Sequence, residues 1–184
     1  MAVLCAVFYR NLNLGHRGSP TRAVLEAALM DAGAVRVASV QTNGTVLLET
    51  PDPNRVVAKA ASTLERECGY RDAGLIRPFE VLASIIDRDP FEGRGDERTY
   101  GETFTFFDGG APLQLDLPWT NERGDVDIFE VTHGIALSVI RRLASSPGSP
   151  NAEISRLTDG AVTTTRNKRT VERLVALGRA WRAS

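Results

Sequence analysis

Two short segments, one near each end of the chain, hold the side chains best suited to bind or transform a ligand. The first is Phe8-Tyr9-Arg10-Asn11-Leu12-Asn13-Leu14-Gly15-His16, in which a β-prone run ends in an arginine, two amides and an imidazole. The second is Val162-Thr163-Thr164-Thr165-Arg166-Asn167, a β-prone run that leads into the last helical pattern. A guanidinium offers two parallel N–H donors to a carboxylate or phosphate. The start of a helix presents unbonded backbone N–H groups and the positive end of its dipole, so an anion is favoured beside Asn167. Arg166, Lys168 and Arg169 add positive charge there. Arg10, Asn13, His16, Arg166 and Asn167 are therefore the candidate ligand-binding residues. His16 is the weak candidate for a general acid or base, because an imidazole changes charge near neutral pH. The competing reading is structural. Every helix start carries free N–H groups, and loop amides commonly bond their own backbone.

No other pattern names a reaction. The only other histidine, His133, precedes a glycine in a predicted turn. The only cysteines are Cys5 and Cys68, with no Cys-x-x-Cys pair, so no structural zinc is expected. No Gly-x-Ser-x-Gly elbow, phosphate-binding P-loop or Gly-x-Gly-x-x-Gly turn occurs. No cofactor and no metal are expected. Asp125 and Asp127 share a strand face by period-two spacing, Glu130 points the other way, and Asp116 lies on a neighbouring run. Such a group suits a hard cation such as Mg²⁺, but a solvated strand face explains it more simply. Phe104, Phe106, Trp119 and Phe129 read as core rather than as a base-stacking platform.

Composition sets the class. The chain has 184 residues, 42% hydrophobic and 24% charged, with a formal net charge of −1. The isoelectric point is about 6.2. Nucleic-acid-binding domains are usually strongly basic, with an isoelectric point above ~9, so a nucleic-acid partner is disfavoured. No apolar run approaches the ~20 residues that span a bilayer. The start, Met1 to Phe8, lacks the basic leader of a secretory signal and reads as a first strand. A cytoplasmic protein with two buried thiols is the expectation. Only Lys59 and Lys168 among the 22 basic residues are lysines, a bias that suits a GC-rich genome.

The elements that must position these groups follow from periodicity and punctuation. Residues 3–10 read as a strand. Ser19-Pro20 predicts an N-cap and first helical turn, with Val24, Leu25, Ala28, Leu29 and Ala32 on one face and Gly33 as the stop. Val35 to Thr42 and Thr45 to Thr50 predict a hairpin around Asn43-Gly44, both residues tolerating positive φ. Asp52-Pro53 opens a second helix with Val56, Val57, Ala60, Ala61, Leu64 and Cys68 inward, ended by Gly69. Ala73 to Arg77 completes a β-α-β-β-α-β order, the split βαβ arrangement of ferredoxin-like folds. A short helix follows over 78–87. Strands are then predicted near 101–107, 112–117, 125–131, 135–142 and 161–165, with helices after Ser149-Pro150 and Asn167. On this reading strands one and three are adjacent and parallel, so the Arg10–Gly18 loop and the Asn43-Gly44 turn lie at opposite sheet ends.

These segments resemble the bacterial domain-of-unknown-function family 1697. Its members open with Arg-Gly-Ile-Asn-Val-Gly-Gly, carry Gln-Ser-Gly-Asn in the hairpin and end with Thr-Thr-Arg-Asn-Trp-Asn-Thr. The matching stretches here are Arg10 to His16, Gln41-Thr42-Asn43-Gly44, and Thr164 to Thr170. Arg10, Asn13, Gly15, Gln41, Thr164, Thr165, Arg166 and Asn167 fit the pattern. Asn11 replaces the glycine after the arginine, Asn43-Gly44 inverts the hairpin pair, and Lys168-Arg169 replaces Trp-Asn, which marks a divergent member. The resemblance implies two α+β lobes and no particular activity.

The fold class expected is α+β with two lobes: an N-terminal ferredoxin-like lobe over residues 1–90, a linker or mobile loop over 91–100, and a β-rich lobe with helices over 101–184. The favoured function is binding of a small anionic or polar molecule between the lobes. The alternatives are an enzyme in the same cleft, acting on a small molecule of natural-product metabolism, and a protein or nucleic-acid interaction module. No membrane partner is expected, and oligomeric state is not encoded in any pattern.

Overall fold

The computed structural model describes all 184 residues, Met1–Ser184. The fold is α+β in two units. The first comprises Met1–Ser84 with Glu172–Ser184, and the second Ile85–Val171. No helix is long and apolar enough to cross a membrane.

The first unit is ferredoxin-like. Strands β1 (Val3–Tyr9), β2 (Arg36–Val40), β3 (Thr45–Thr50) and β4 (Gly74–Pro78) alternate with helices α1 (Arg22–Asp31) and α2 (Pro53–Cys68). The sheet order is β2-β3-β1-β4. Both neighbours of β1 are antiparallel to it, which corrects the parallel placement of strands one and three. The α1 crossover makes β2 parallel to β1, and the hairpin then reverses β3 into the gap between them. Cys5, Val7 and Tyr9 of β1 and Val46 and Leu48 of β3 form one core with Leu25 and Leu29 of α1 and Val56, Ala60 and Leu64 of α2. Burial pushes the Cys5 thiol up to about 12, so it is an inert apolar side chain rather than a nucleophile.

Both helix starts follow simple capping rules. Asp52 accepts from Arg55 N at the start of α2. Thr21, not Ser19, caps α1 by accepting from Val24 N. Ser19 is withdrawn because its hydroxyl accepts from Asn13 N at 3.2 Å. Helix α1 also guards the free edge of β2. Glu26 accepts from Ser39 N at 2.7 Å, and Arg22 donates to the Ser39 carbonyl. Unpaired edge groups would otherwise invite another strand.

The opposite sheet face is covered by the end of helix α5 (Lys168–Ala183). Arg36 of β2 stacks over the half-buried Trp181 at 4.2 Å, and Arg182 pairs with Glu80. Leu174 and Val175 are buried. The unit division cuts α3 (Phe79–Asp87) after Ser84 and α5 before Glu172.

The second unit is a five-stranded antiparallel sheet in the order β6-β7-β8-β5-β9. Its strands are β5 (Thr99–Asp108), β6 (Trp119–Thr120), β7 (Val126–Thr132), β8 (Ile135–Arg141) and β9 (Val162–Asn167). Residues 112–117 form no strand. Leu113 and Leu115 keep their apolar alternation by packing on Val126, Ile128, Ala136, Ile140 and Ile154. Ile154 comes from α4 (Pro150–Leu157), capped by Ser149. His133 and Gly134, at φ 49° and 69°, form the two-residue turn between β7 and β8. That double positive φ is the primed hairpin geometry, so His133 has a structural role.

Gly178 provides a test of the α5 packing. A Cβ there would overlap the ring of Phe79, which is 1% exposed. Gly178→Ala gains about 1 kcal/mol of helix propensity but overpacks a filled site at about 1–3 kcal/mol. The urea midpoint should fall; a rise would show that α5 and Phe79 separate freely.

Candidate functional site

The antiparallel pairing of β1 with β3 decides where the polar segments meet. Phe8 is opposite Thr45, so the chain leaving β1 runs beside the β2–β3 turn. Tyr9 N donates to Gly44 O at 2.8 Å, and Leu14 N donates to Thr42 O at 2.8 Å. The Arg10–Gly18 loop and the Gln41–Gly44 turn are therefore one cross-linked structure at a single sheet end. The pairing direction overturns the placement at opposite sheet ends that the sequence predicts. The turn also differs from a two-residue hairpin. Val40 pairs with Thr45, and positive φ falls on Gln41 (64°) and Gly44 (69°), not on Asn43.

The loop backbone is held on every side. Gly15 N donates to Pro20 O, His16 N to Asn13 O and Ser19 N to His16 O. Arg10 N donates to Ala73 O, and the Tyr70 hydroxyl donates to Arg10 O at 2.6 Å. Asn11, at φ 50°, donates from its amide to Asp72 at 2.7 Å. Arg22 donates to Gln41 O at 2.8 Å. Two non-glycine residues in left-handed conformation, one in each segment, are backbone strain at about 1–3 kcal/mol apiece. Leu12 and Leu14 are buried and anchor the loop to the core.

Its side chains are disposed differently from its backbone. Arg10 is half-exposed and only loosely paired, 3.7 Å from Asp72. Asn13, His16 and Arg17 are exposed, and their side chains have no partner within the protein. Arg10, Asn13 and His16 are thus brought together.

Arg166 and Asn167 lie in the second unit. Arg166 is 7% exposed, and its Nη1 donates to Thr164 Oγ1 at 2.7 Å and to Thr165 O at 2.8 Å. Asn167 caps α5, its Oδ1 accepting from Thr170 N at 2.8 Å and Thr170 Oγ1 at 2.9 Å. The adjacent Lys168 ammonium sits 3.0 Å from Asp89 and 3.3 Å from Glu102. Burial opposes that charge, but the hydrogen bonds the ammonium donates to Asp89 and Glu102, with the negative charge of the two carboxylates, outweigh it and raise the lysine pKa. Much of the positive charge expected at this helix start is matched internally.

The carboxylates of the 125–130 segment are also divided. Asp125, 1% exposed, accepts from Asn121 Nδ2 at 2.8 Å and pairs with Arg123 at 2.8 Å. Asp127 pairs with Arg141 and accepts from the Thr120 hydroxyl at 2.8 Å. Arg141 also holds Asp96 at 3.0 Å, and this bond lowers the Asp96 pKa. A register shift between Ile128 and Glu130 corrects the expected alternation. This β-bulge turns Glu130 to the Asp127 face, where it takes a two-pronged contact from Arg88. With each carboxylate engaged by a donor of its own, no group of these acids is arranged to hold a metal ion.

Sequence reasoning missed Arg94 and the use of Phe129. Both border a depression of about 320 Å³ together with Pro118, Thr120, Asp127 and Val139. Arg94 falls in the Gly93-Arg94-Gly95 stretch, which reads as linker, and no residue pattern announces the bulge that carries Phe129. The available signal was an isolated arginine between two glycines, close in sequence to Phe91.

A ferredoxin-like unit combined with an antiparallel five-stranded unit, each carrying exposed polar side chains on a fixed backbone, defines a two-unit α+β protein. The chain belongs to the family described as "Protein of unknown function (DUF1697)", which matches residues 3–128. The loop and turn motifs fall inside that match, and Thr164 to Asn167 fall beyond it. Among solved structures, a conserved bacterial protein from Streptococcus pneumoniae, SP0830, is similar at a TM-score of 0.62 and 16% identity. The similarity covers 96% of this chain and 98% of that one, and at this identity it concerns the fold. No curated protein matches.

Gly44 tests the junction of loop and turn. A Cβ there would lie 3.0 Å from the Cβ atoms of both Tyr9 and Leu12, at φ +69°. Gly44→Ala should destabilise the protein by about 1–3 kcal/mol. Its amide spectrum should change in both segments together; changes confined to residues 41–44 would show that the two are not coupled.

Proposed function

We propose that the protein binds a small anionic or polar molecule at the loop end of its ferredoxin-like sheet, through Arg10, Asn13 and His16. The observation that carries this reading is the convergence of the two segments matching the family pattern on one sheet end. Their backbones are cross-linked, and three adjacent polar side chains, Asn13, His16 and Arg17, have no internal partner. A backbone held this firmly loses little further freedom on binding, which favours affinity. The Arg10–Asp72 pair is exposed and long, and such pairs contribute at most about 1 kcal/mol. Arg10 can therefore exchange Asp72 for a ligand anion at small cost. Asn13 adds both a donor and an acceptor.

Binding is favoured over catalysis by one feature. His16 has no hydrogen-bonded group to orient its ring, whereas a general base is normally aimed by such a group. A cytoplasmic setting accords with the two cysteines, which are not joined to each other.

Amide chemical shifts measured during titration with inorganic phosphate, and separately with citrate, test the reading. The expected result is saturable movement at residues 10–18 and 41–44. An Asn13→Ala/His16→Ala double variant should lose that movement and keep its melting temperature. Absence of saturable movement with either anion, or equal movement in the double variant, would overturn it.

A further inference from the structure

We propose a second binding site, independent of the loop end: the depression over Phe129 in the second unit takes a small organic carboxylate with a flat apolar body. The bulge in β7 builds its floor. Asp127 pairs with Val139 across the strands, and after the shift Glu130 pairs with Leu137. The bulged residue, Phe129, is set out of the regular ladder, its ring half-buried and packed edge-on against Phe91 at 5.3 Å and 88°. The ring is thus fixed by a fully packed neighbour, since Phe91 is 2% exposed.

Arg94 supplies the recognition group. Its guanidinium lies over the Phe129 ring, 4.1 Å from the centroid, and its Nε donates to Pro90 O at 2.9 Å. Two constraints therefore fix the plane of the guanidinium. Its terminal nitrogens make no hydrogen bond within the protein, and no carboxylate pairs with it. The other cations nearby are all engaged: Arg88 with Glu130, Arg141 with Asp96 and Asp127, and Lys168 with Asp89 and Glu102. Arg94 is the exception, an arginine held at Nε whose two terminal nitrogens still offer one parallel donor pair. That fork fits a carboxylate in the guanidinium plane.

The remaining surface selects the body of the ligand. Pro118 and the half-buried Phe129 present apolar surface, with the buried Val139 beneath, and Thr120 already donates its hydroxyl proton to Asp127. The volume of about 320 Å³ is at the lower end of the ~300–1,000 Å³ common for small-molecule sites. A benzoate-sized molecule suits it, with its carboxylate on Arg94 and its ring against Phe129 and Pro118. Inorganic phosphate would satisfy Arg94 but leave the apolar surface wet.

Titration of the intact protein with benzoate, benzamide and inorganic phosphate tests the site, read by amide shifts and calorimetry. Benzoate should saturate shifts at residues 93–94, 120 and 129. Benzamide, which lacks the charge, and phosphate, which lacks the ring, should each bind there at least tenfold more weakly. Arg94→Ala should lose benzoate binding at least tenfold with an unchanged melting temperature. Arg94→Lys should recover only part of it, because an ammonium cannot present the fork. Arg66→Ala, an exposed residue of α2 in the other unit, should leave the benzoate shifts at residues 93–94, 120 and 129 intact; their loss would place the benzoate site elsewhere and overturn the assignment. Equal binding of benzoate and phosphate, or full benzoate binding by Arg94→Ala, would also overturn it. Absence of benzoate shifts at these residues would do so directly, whatever the outcome at the loop end.

Discussion

The pairing of β1 with β3 is the constraint on which the first unit depends. It runs unbroken from Val3 opposite Thr50 to Phe8 opposite Thr45. Both strands are central, so their side chains are buried on both faces and tolerate no slip in register. A shift of one residue would put Cys5, Val7 and Tyr9 on the face that Ala6 and Phe8 now occupy. Direction matters as much as register. Because the two strands are antiparallel, the end of β1 and the start of β3 coincide, and the loop after β1 can bond the turn before β3. The Tyr9–Gly44 and Leu14–Thr42 hydrogen bonds follow from that geometry. Gly44 follows too, since any Cβ there meets Tyr9 and Leu12.

The second unit is organised by internal matching of polar groups. Asn121 illustrates this. Its Nδ2 donates to Asp125 and Glu153, and its Oδ1 accepts from the backbone N–H groups of Asp125 and Val126. All its bonding capacity is used to close the turn into β7 and keep a buried carboxylate partnered. Arg141 does similar work between Asp96 and Asp127. Against that background Arg94 stands apart: it is exposed and held at Nε by Pro90 O, and its terminal nitrogens have no partner within the protein. The same contrast separates Asn167, whose carbonyl is committed to its helix cap, from Asn13, whose side chain makes no internal bond.

Family membership and the likeness to the streptococcal protein describe the scaffold. Ferredoxin-like folds carry many unrelated activities, so function has to be argued from sites. Both sites proposed here are built from local features laid over the scaffold: a strained loop and turn in one unit, and a bulge with a stacked arginine in the other. Each uses arginine near an exposed surface, in line with a chain whose basic residues are almost all arginine.

The sequence by itself determined the elements that local rules specify. Apolar spacing placed Leu25, Leu29, Val57 and Leu64 inward, Asp52-Pro53 and Ser149-Pro150 opened helices, Gly33 and Gly69 closed them, and the order β-α-β-β-α-β gave the ferredoxin-like class. These signals act within a few residues, so they survive without knowledge of partners. Only the tertiary structure decided what depends on meetings between distant segments. The direction of β1 against β3 joined two loops expected at opposite ends. Competition for Ser19 moved the α1 cap to Thr21. The 112–117 run packed its leucines without pairing as a strand. The β7 bulge reversed the side on which Glu130 lies and exposed Phe129 to Arg94. In each case the outcome turned on a hydrogen-bond partner or packing surface far away in the chain, and a local pattern carries no record of that partner.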